Sequence, residues 1–531
     1  MTTTPSTRSS GAAPGSPVAA SPASASPAPA TVGDLRASAY RYRTVKQELR
    51  ENALRALASG RTIFPGLVGY QESVIPQILQ SILSGHDLLL LGLRGQAKTR
   101  ILRAFINLLD DWIPVIAADG VDIPDDPIHP TTSVGRRAIA IHGDDTPIRW
   151  VHKSHRFHEK LATPDVTIAD LIGELDLIKH AEGRYLSDEA TMHFGLVPRS
   201  NRGLFVINEL PDLAPRIQVG LFNVLEERDV QIRGYPVRLD LDLCLMFSAN
   251  PEDYTNRGRI VTPLKDRIGS VVRTHYPADN REAMAITAAN AFTDRAAGLG
   301  RTRRATESAD ASIASAAPFV ATPPAPMAPE VIVPRVMHEI IEETIRQARR
   351  SPHINQASGV SVRASIAALE VAISAAELRG VRTKEARVTV RPCDLAHIAA
   401  ALRGKIELML SEDSPDGAST EDRLIMALVG EATKAILARS LQIDAVGHLA
   451  EPFAGGMKLG LDDATTSDAA VASMKHVPGL LDAATALARA LEMDTADSGA
   501  LACAGELVLE FLYVNHRLSK VMTRSGIAFT R

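Results

Sequence analysis

Four consecutive leucines, Leu88 to Leu91, run directly into Gly92-Leu93-Arg94-Gly95-Gln96-Ala97-Lys98-Thr99, and a helical periodicity then carries from Thr99 to Leu109. No other stretch of the chain limits its fold as much. An apolar run this short, opened by Asp87 and closed by a glycine-containing turn, reads as a buried strand. Strand, tight loop and helix in immediate succession belong to a layered α/β sheet.

The loop itself carries chemistry. Gly92, Lys98 and Thr99 stand at the spacing of a phosphate-binding loop, which aims backbone N–H groups and the positive end of a helix at phosphate oxygens. Arg94, Gly95, Gln96, Ala97 and Arg100 complete the candidate nucleotide-binding set, with Lys98 reaching the β and γ phosphates and the Thr99 hydroxyl binding magnesium. Ala97 stands where a glycine is expected. Its extra methyl fits if the backbone there is already helical.

Two further apolar runs, Leu204 to Ile207 and Leu241 to Phe247, read as strands buried on both faces. The first ends in Asn208-Glu209. Glu209 is the candidate general base for water attacking a γ-phosphate. Asn208 replaces an acid at the magnesium side, where its amide oxygen can hold a metal-bound water without adding charge. The second run ends in Ser248-Ala249-Asn250-Pro251, which makes Asn250 the candidate sensor of the γ-phosphate. Arg267, in Pro263-Leu264-Lys265-Asp266-Arg267, is a candidate finger for a neighbouring subunit's site, a role worth about 10³ to 10⁵ in rate in related NTPases. Arg363 lies in Gly359-Val360-Ser361-Val362-Arg363, where Ser361 reads as a helix N-cap and Arg363 as a second γ-phosphate contact. His142, His152, His155 and His158 lie close in sequence but share no apolar helical face, so no metal site is assigned to them.

Along the chain, residues 1–33 are an Ala/Pro/Ser-rich stretch read as a disordered tail, and 34–60 an N-terminal helix. Residues 61–278 are read as the α/β nucleotide-binding core. Within it Val74, Ile75, Ile78, Leu79, Ile82 and Leu83 form one helical face closed by Gly85, and Asp229 to Asp240 reads as a β-hairpin around Gly234. Residues 279–405 read as a helical lid, interrupted by a low-complexity insertion over about 305–329. Residues 406–531 are a helical region of unknown role.

Composition sets outer limits. The 531 residues allow roughly three or four domain-sized units. A formal net charge of −4 with no Lys/Arg block gives no basis for nucleic-acid binding. The three cysteines form no CxxC pair, which fits a reducing, cytoplasmic setting. No apolar run reaches the ~20 residues of a membrane span.

Taken in order, these motifs resemble the AAA+ branch that contains the MoxR ATPases and the magnesium chelatase I subunit, over roughly residues 61 to 405. Phe64-Pro65-Gly66-Leu67-Val68-Gly69-Tyr70 is similar to that branch's entry motif, which implies Val68 and Gly69 near the adenine. Glu182 to Tyr185, Gly195 to Arg199 and Asn201 to Gly203 resemble its helix-two insertion. The hairpin resembles its pre-sensor insertion, and Gly359 to Arg363 its second sensor. The resemblance implies ATP and magnesium, a hexameric ring with Arg267 acting in trans, and work on a separate partner protein of the kind that often carries a von Willebrand A domain. Three functions stay open: a MoxR-like chaperone that remodels or loads a client, the motor subunit of a metal chelatase, and an ATP-gated scaffold with little hydrolysis.

Overall fold

The computed structural model describes residues 28–117, 123–175, 192–226, 239–251, 260–293, 329–356, 359–408, 420–461, 464–523 and 526–531. The first 27 residues of the expected tail, the segment Glu182 to Tyr185, the hairpin up to residue 238 and the insertion up to residue 328 lie outside them.

Five parallel strands form the central sheet: β1 (Leu88–Leu91), β2 (Phe157–Leu161), β3 (Gly203–Asn208), β4 (Leu243–Ala249) and β5 (Ser270–Arg273), in the spatial order β2-β3-β4-β1-β5. Every residue of β1, β3 and β4 is buried, as two-sided cover requires. Their side chains alternate between two cores. Leu88, Leu90, Leu204, Val206 and Met246 meet the helices on one face, while Leu89, Leu91, Phe205, Ile207 and Phe247 meet Leu210, Leu213, Ile217 and Val224 on the other. The α/β class read from the sequence is the class observed.

Three helices cover the first face. α1 (Val45–Ala58) is closed at its start by a capping box of Thr44 and Gln47. α2 (Val74–Leu83) buries Val74, Ile78 and Ile82, and Gly85 at φ +66° follows its end. α3 (Lys98–Ala104) follows the loop and tightens into a 3₁₀ turn over Phe105–Leu108. Helical structure is present before residue 34. A short helix, Val32–Ala37, is capped by Thr31 and separate from α1, so the expected single N-terminal helix is two.

Two strands of the core escaped the sequence reading, β2 and β5. Both lie at sheet edges and carry polar residues in half-buried positions, so neither makes an apolar run. An antiparallel ladder of Trp112–Ile116 with Ile148–His152 also precedes β2.

Beyond the core, the helices Asn280–Asn290, Arg335–Ala348 and Val362–Thr383 are followed by Thr420–Leu437, Leu480–Ala490 and Ser498–Val514. The region is not wholly helical: Glu330–Ile332 pairs with Arg387–Thr389, and a three-stranded sheet closes the chain. Residues on both sides of 406, from Val336 to Phe529, share one hydrophobic cluster. The boundary expected there is therefore no boundary of packing. No helix among the described residues is long and apolar enough to cross a membrane.

Candidate nucleotide site

The loop between β1 and α3 is built on two glycines at which a β-carbon would be crowded. A Cβ on Gly92 would stand 1.8 Å from Thr274 Oγ1 and 2.3 Å from Gln96 Oε1. One on Gly95, at φ +76°, would stand 2.1 Å from Ser361 Oγ. Thr274 Oγ1 donates to Gln96 Oε1 at 2.7 Å, and the Tyr70 hydroxyl meets Gln96 O at 2.8 Å, so the loop is pinned from two sides.

Ala97 corrects the expectation of a helical backbone. It sits at φ 57°, ψ 16°, in the left-handed region. A β-carbon there costs about 1–2 kcal/mol, which glycine would avoid. Glu209 is held in the same region, at φ 54°, ψ 48°. Backbone strain of this kind persists only where the surroundings enforce it.

Lys98, buried to 6% exposure, points its ammonium at Gly92 O, at Leu93 O (3.1 Å) and at Asn250 Oδ1 (2.7 Å). Asn250 Nδ2 donates to Glu209 Oε2 at 2.8 Å. Three residues read separately from sequence thus meet, because β1, β3 and β4 are adjacent and end in register: Leu91 lies opposite Ala249, and Ile207 opposite Phe247. The Glu209 amide donates to Ser248 Oγ at 3.2 Å, Ser248 Oγ donates to Asn208 Oδ1 at 3.0 Å, and Asn208 Nδ2 donates to Glu159 Oε1 at 2.5 Å. Glu159, on β2, is gripped by Arg103 of α3 through Nε at 2.7 Å and Nη2 at 3.1 Å. A chain of polar contacts leaves α3 at Lys98 and returns to it at Arg103. Ser248, Glu159 and Arg103 were missed. Only their place beside Asn208 marks them, and the sequence does not show that place.

The other candidates surround this circuit. Thr99 is half-buried at the first turn of α3 and Arg100 is exposed, within 3.4 Å of Asn290 Oδ1. Val68 and Gly69 are half-buried, Gly69 at φ +81° beside the Glu282 carboxylate. Arg94 is exposed, its carbonyl accepting from the Tyr276 hydroxyl at 2.9 Å. Ser361 caps the helix Val362–Thr383, accepting from the Arg363 amide, and the contact of Ser361 with Gly95 brings that helix start against the loop; Arg363 itself is exposed. Arg267 does not join the circuit. Its Nε donates to Glu226 Oε2 at 2.7 Å and its guanidinium lies 4.9 Å from the Phe222 ring centre.

The donor set fits a magnesium nucleotide. Lys98 is ringed by oxygens that phosphate oxygens could replace, and hydroxyl and amide oxygens suit a hard cation. Of the histidines, His152 contacts Ser154 and the Trp112 ring, and burial pushes His158 below the ordinary imidazole range.

No protein-family model matches the chain, and no curated protein matches it. Among solved structures it is similar to a complex of subunits BchI and BchD of magnesium chelatase, at 25% identity, covering 41% of this chain and 62% of that one with a TM-score of 0.31. The chain thus spans less than two thirds of that protein's length. It is also similar to NtrX of Brucella abortus in complex with ADP (13% identity, 75% and 61% covered, TM-score 0.34). A candidate ATPase from Cytophaga hutchinsonii matches at 17% identity, with 72% and 95% covered and a TM-score of 0.27. TM-scores this low leave what the site can do to its own residues.

Proposed function

We propose that this chain is a magnesium-dependent ATPase of the AAA+ kind that works as a cytoplasmic ring. The observation that carries the reading is the meeting of Lys98, Asn250 and Glu209 within 2.8 Å contacts beside the glycine loop. Lysine there neutralises phosphate charge, asparagine spans from the lysine to the carboxylate, and the carboxylate takes a proton from water. Thr99 and Asn208 would hold the magnesium side, Val68 and Gly69 the base. Magnesium would supply charge neutralisation at the phosphates.

Arg363 starts the helix that leans on Gly95, which supports a contact from the lid. Arg267 contacts Glu226, Pro263 O and the Phe222 ring, outside its own chain's circuit, as an arginine serving a neighbouring subunit needs. The resemblance further favours a hexamer that remodels, activates or loads metal into a separate protein, with the motor subunit of a metal chelatase as the alternative function. A scaffold that binds ATP with little turnover draws support from one feature, the uncharged Asn208.

ATP turnover across protein concentrations, beside Glu209→Gln and Arg267→Ala, tests the reading. A wild-type rate that rises on assembly, lost in both variants while ATP still binds, is expected. A wild type no faster than Glu209→Gln at every concentration would replace the motor with the scaffold.

A further inference from the structure

Asn208, on the magnesium side of the circuit, is a position where chemistry leaves a choice. A carboxamide presents an acceptor on one side and two donors on the other, and turning it over exchanges them. Its neighbours remove that freedom. Glu159, with both carboxyl oxygens gripped by Arg103 donors, accepts here too, so the amide nitrogen faces it, at 2.5 Å. The amide oxygen then faces Ser248, which spends its single hydroxyl proton on that oxygen and so keeps its lone pairs for the Glu209 amide. Were the amide reversed, its oxygen would face the Glu159 carboxylate, acceptor against acceptor, and Ser248 would lose the acceptor to which it now donates.

The geometry points to Glu159 as a positioning residue. It fixes the polarity of Asn208, and through Asn208 the seating of Glu209 and the oxygen offered to a nucleotide-bound divalent cation. The inference rests on the ATPase reading above. It also gives the missing acid a physical account. A carboxylate at position 208 would stand against Glu159 at hydrogen-bond distance, and two carboxylates so close cannot both stay ionised without a proton or a displacement. Asparagine at the end of β3 and glutamate on β2 form a matched pair, with the donor on one strand and the charge on the next.

The test is the exchange of the pair: Glu159→Gln, Asn208→Asp and the double variant Glu159→Gln/Asn208→Asp. In the double variant the new amide donates to the new carboxylate, whose remaining oxygen still accepts from Ser248, so the polarity is kept. Mn2+ binding, followed by electron paramagnetic resonance with a non-hydrolysable ATP analogue, is read beside ATP turnover and melting temperature. Asn208→Asp should weaken Mn2+ half-saturation and lower turnover about tenfold or more. Glu159→Gln should lower both severalfold, and the double variant should return to within about threefold of wild type. If Asn208→Asp does not fold, the double variant is compared with Glu159→Gln alone, which it must exceed. Asn208→Asp binding Mn2+ as well as or better than wild type, or a double variant no better than Glu159→Gln, overturns the inference and leaves the ATPase reading standing. A wild type that binds no Mn2+ nucleotide removes both.

Discussion

Near the ends of the core strands, Lys98, Asn250, Glu209, Ser248, Asn208, Glu159 and Arg103 form a polar circuit whose exposure runs from 1% at Ser248 to 63% for the Arg103 side chain. In the C-terminal half, Arg379 pairs with Asp394 at 3.0 Å and Arg391 with Glu506 at 3.3 Å, and none of these side chains is more than 3% exposed. The second network is sealed. Asp394 also accepts the Arg391 amide at 2.8 Å, Arg379 donates to Thr389 O at 2.7 Å, and burial pushes the Glu506 carboxyl above its ordinary range. It joins the segment around 379–394 to the helix Ser498–Val514 inside the large shared core. The difference lies in what each charge can do next. On the proposed reading Lys98 would exchange its carbonyl and amide partners for phosphate oxygens, whereas Arg379 and Arg391 are fully buried with their acids. On that reading, charges of the first kind serve chemistry; those of the second fix which helices meet.

The widest separation between the two networks should appear on removing one acid from each. Glu209→Gln should cut ATP turnover by about 10² to 10⁴, the usual worth of a positioned base, while its melting temperature stays close to wild type. Turnover kinetics beside a thermal melt check both halves of that statement. Asp394→Ala should do the reverse. It strands the buried Arg379 guanidinium and should cost about 3–5 kcal/mol of stability in a denaturant titration. A loss under about 1 kcal/mol would mean that water reaches the cluster, and the contrast between sealed and open networks would fail.

Much of the open site could be read from sequence, because its elements are local. β1, β3 and β4 are apolar runs buried on both faces, and Lys98, Glu209 and Asn250 each stand at or just beyond a strand end, where chain order alone places them. Glu159 could not be read this way. It lies in Phe157-His158-Glu159-Lys160-Leu161, an edge strand whose polar residues look like a loop until its pairing with β3 is known. The sealed network was equally hidden. Arg391 and Glu506 are separated by most of the C-terminal region, and helical periodicity shows that a helix has a buried face without showing which partner covers it. Ala97 was misjudged for another reason: the left-handed turn that a loop needs before its helix is a property of the loop, and an alanine gives no sign of it.

That alanine offers a smaller and oppositely signed test. Ala97→Gly should stabilise the protein by about 0.5–1 kcal/mol, since relief of the left-handed penalty outweighs the extra freedom glycine gives the unfolded chain. A thermal melt would register it as an upward shift of a few degrees. No change would mean that the loop holds Ala97 without strain.

The smallest effect is expected where the two regions touch. Arg94 of the phosphate loop meets Glu407 at 3.6 Å, with side chains 52% and 49% exposed. The Arg349 guanidinium also lies 4.1 Å from the Tyr276 ring centre, and the Tyr276 hydroxyl donates to Arg94 O. An ion pair so exposed gains little, because water screens both charges and each side chain gives up rotamer freedom to meet the other. Glu407→Ala should therefore change stability by no more than about 0.5 kcal/mol, measured by denaturant titration at low and at physiological salt. A larger loss that fades with added salt would show that the loop and the C-terminal half are coupled by charge. The open circuit and the sealed one would then be parts of one device instead of two.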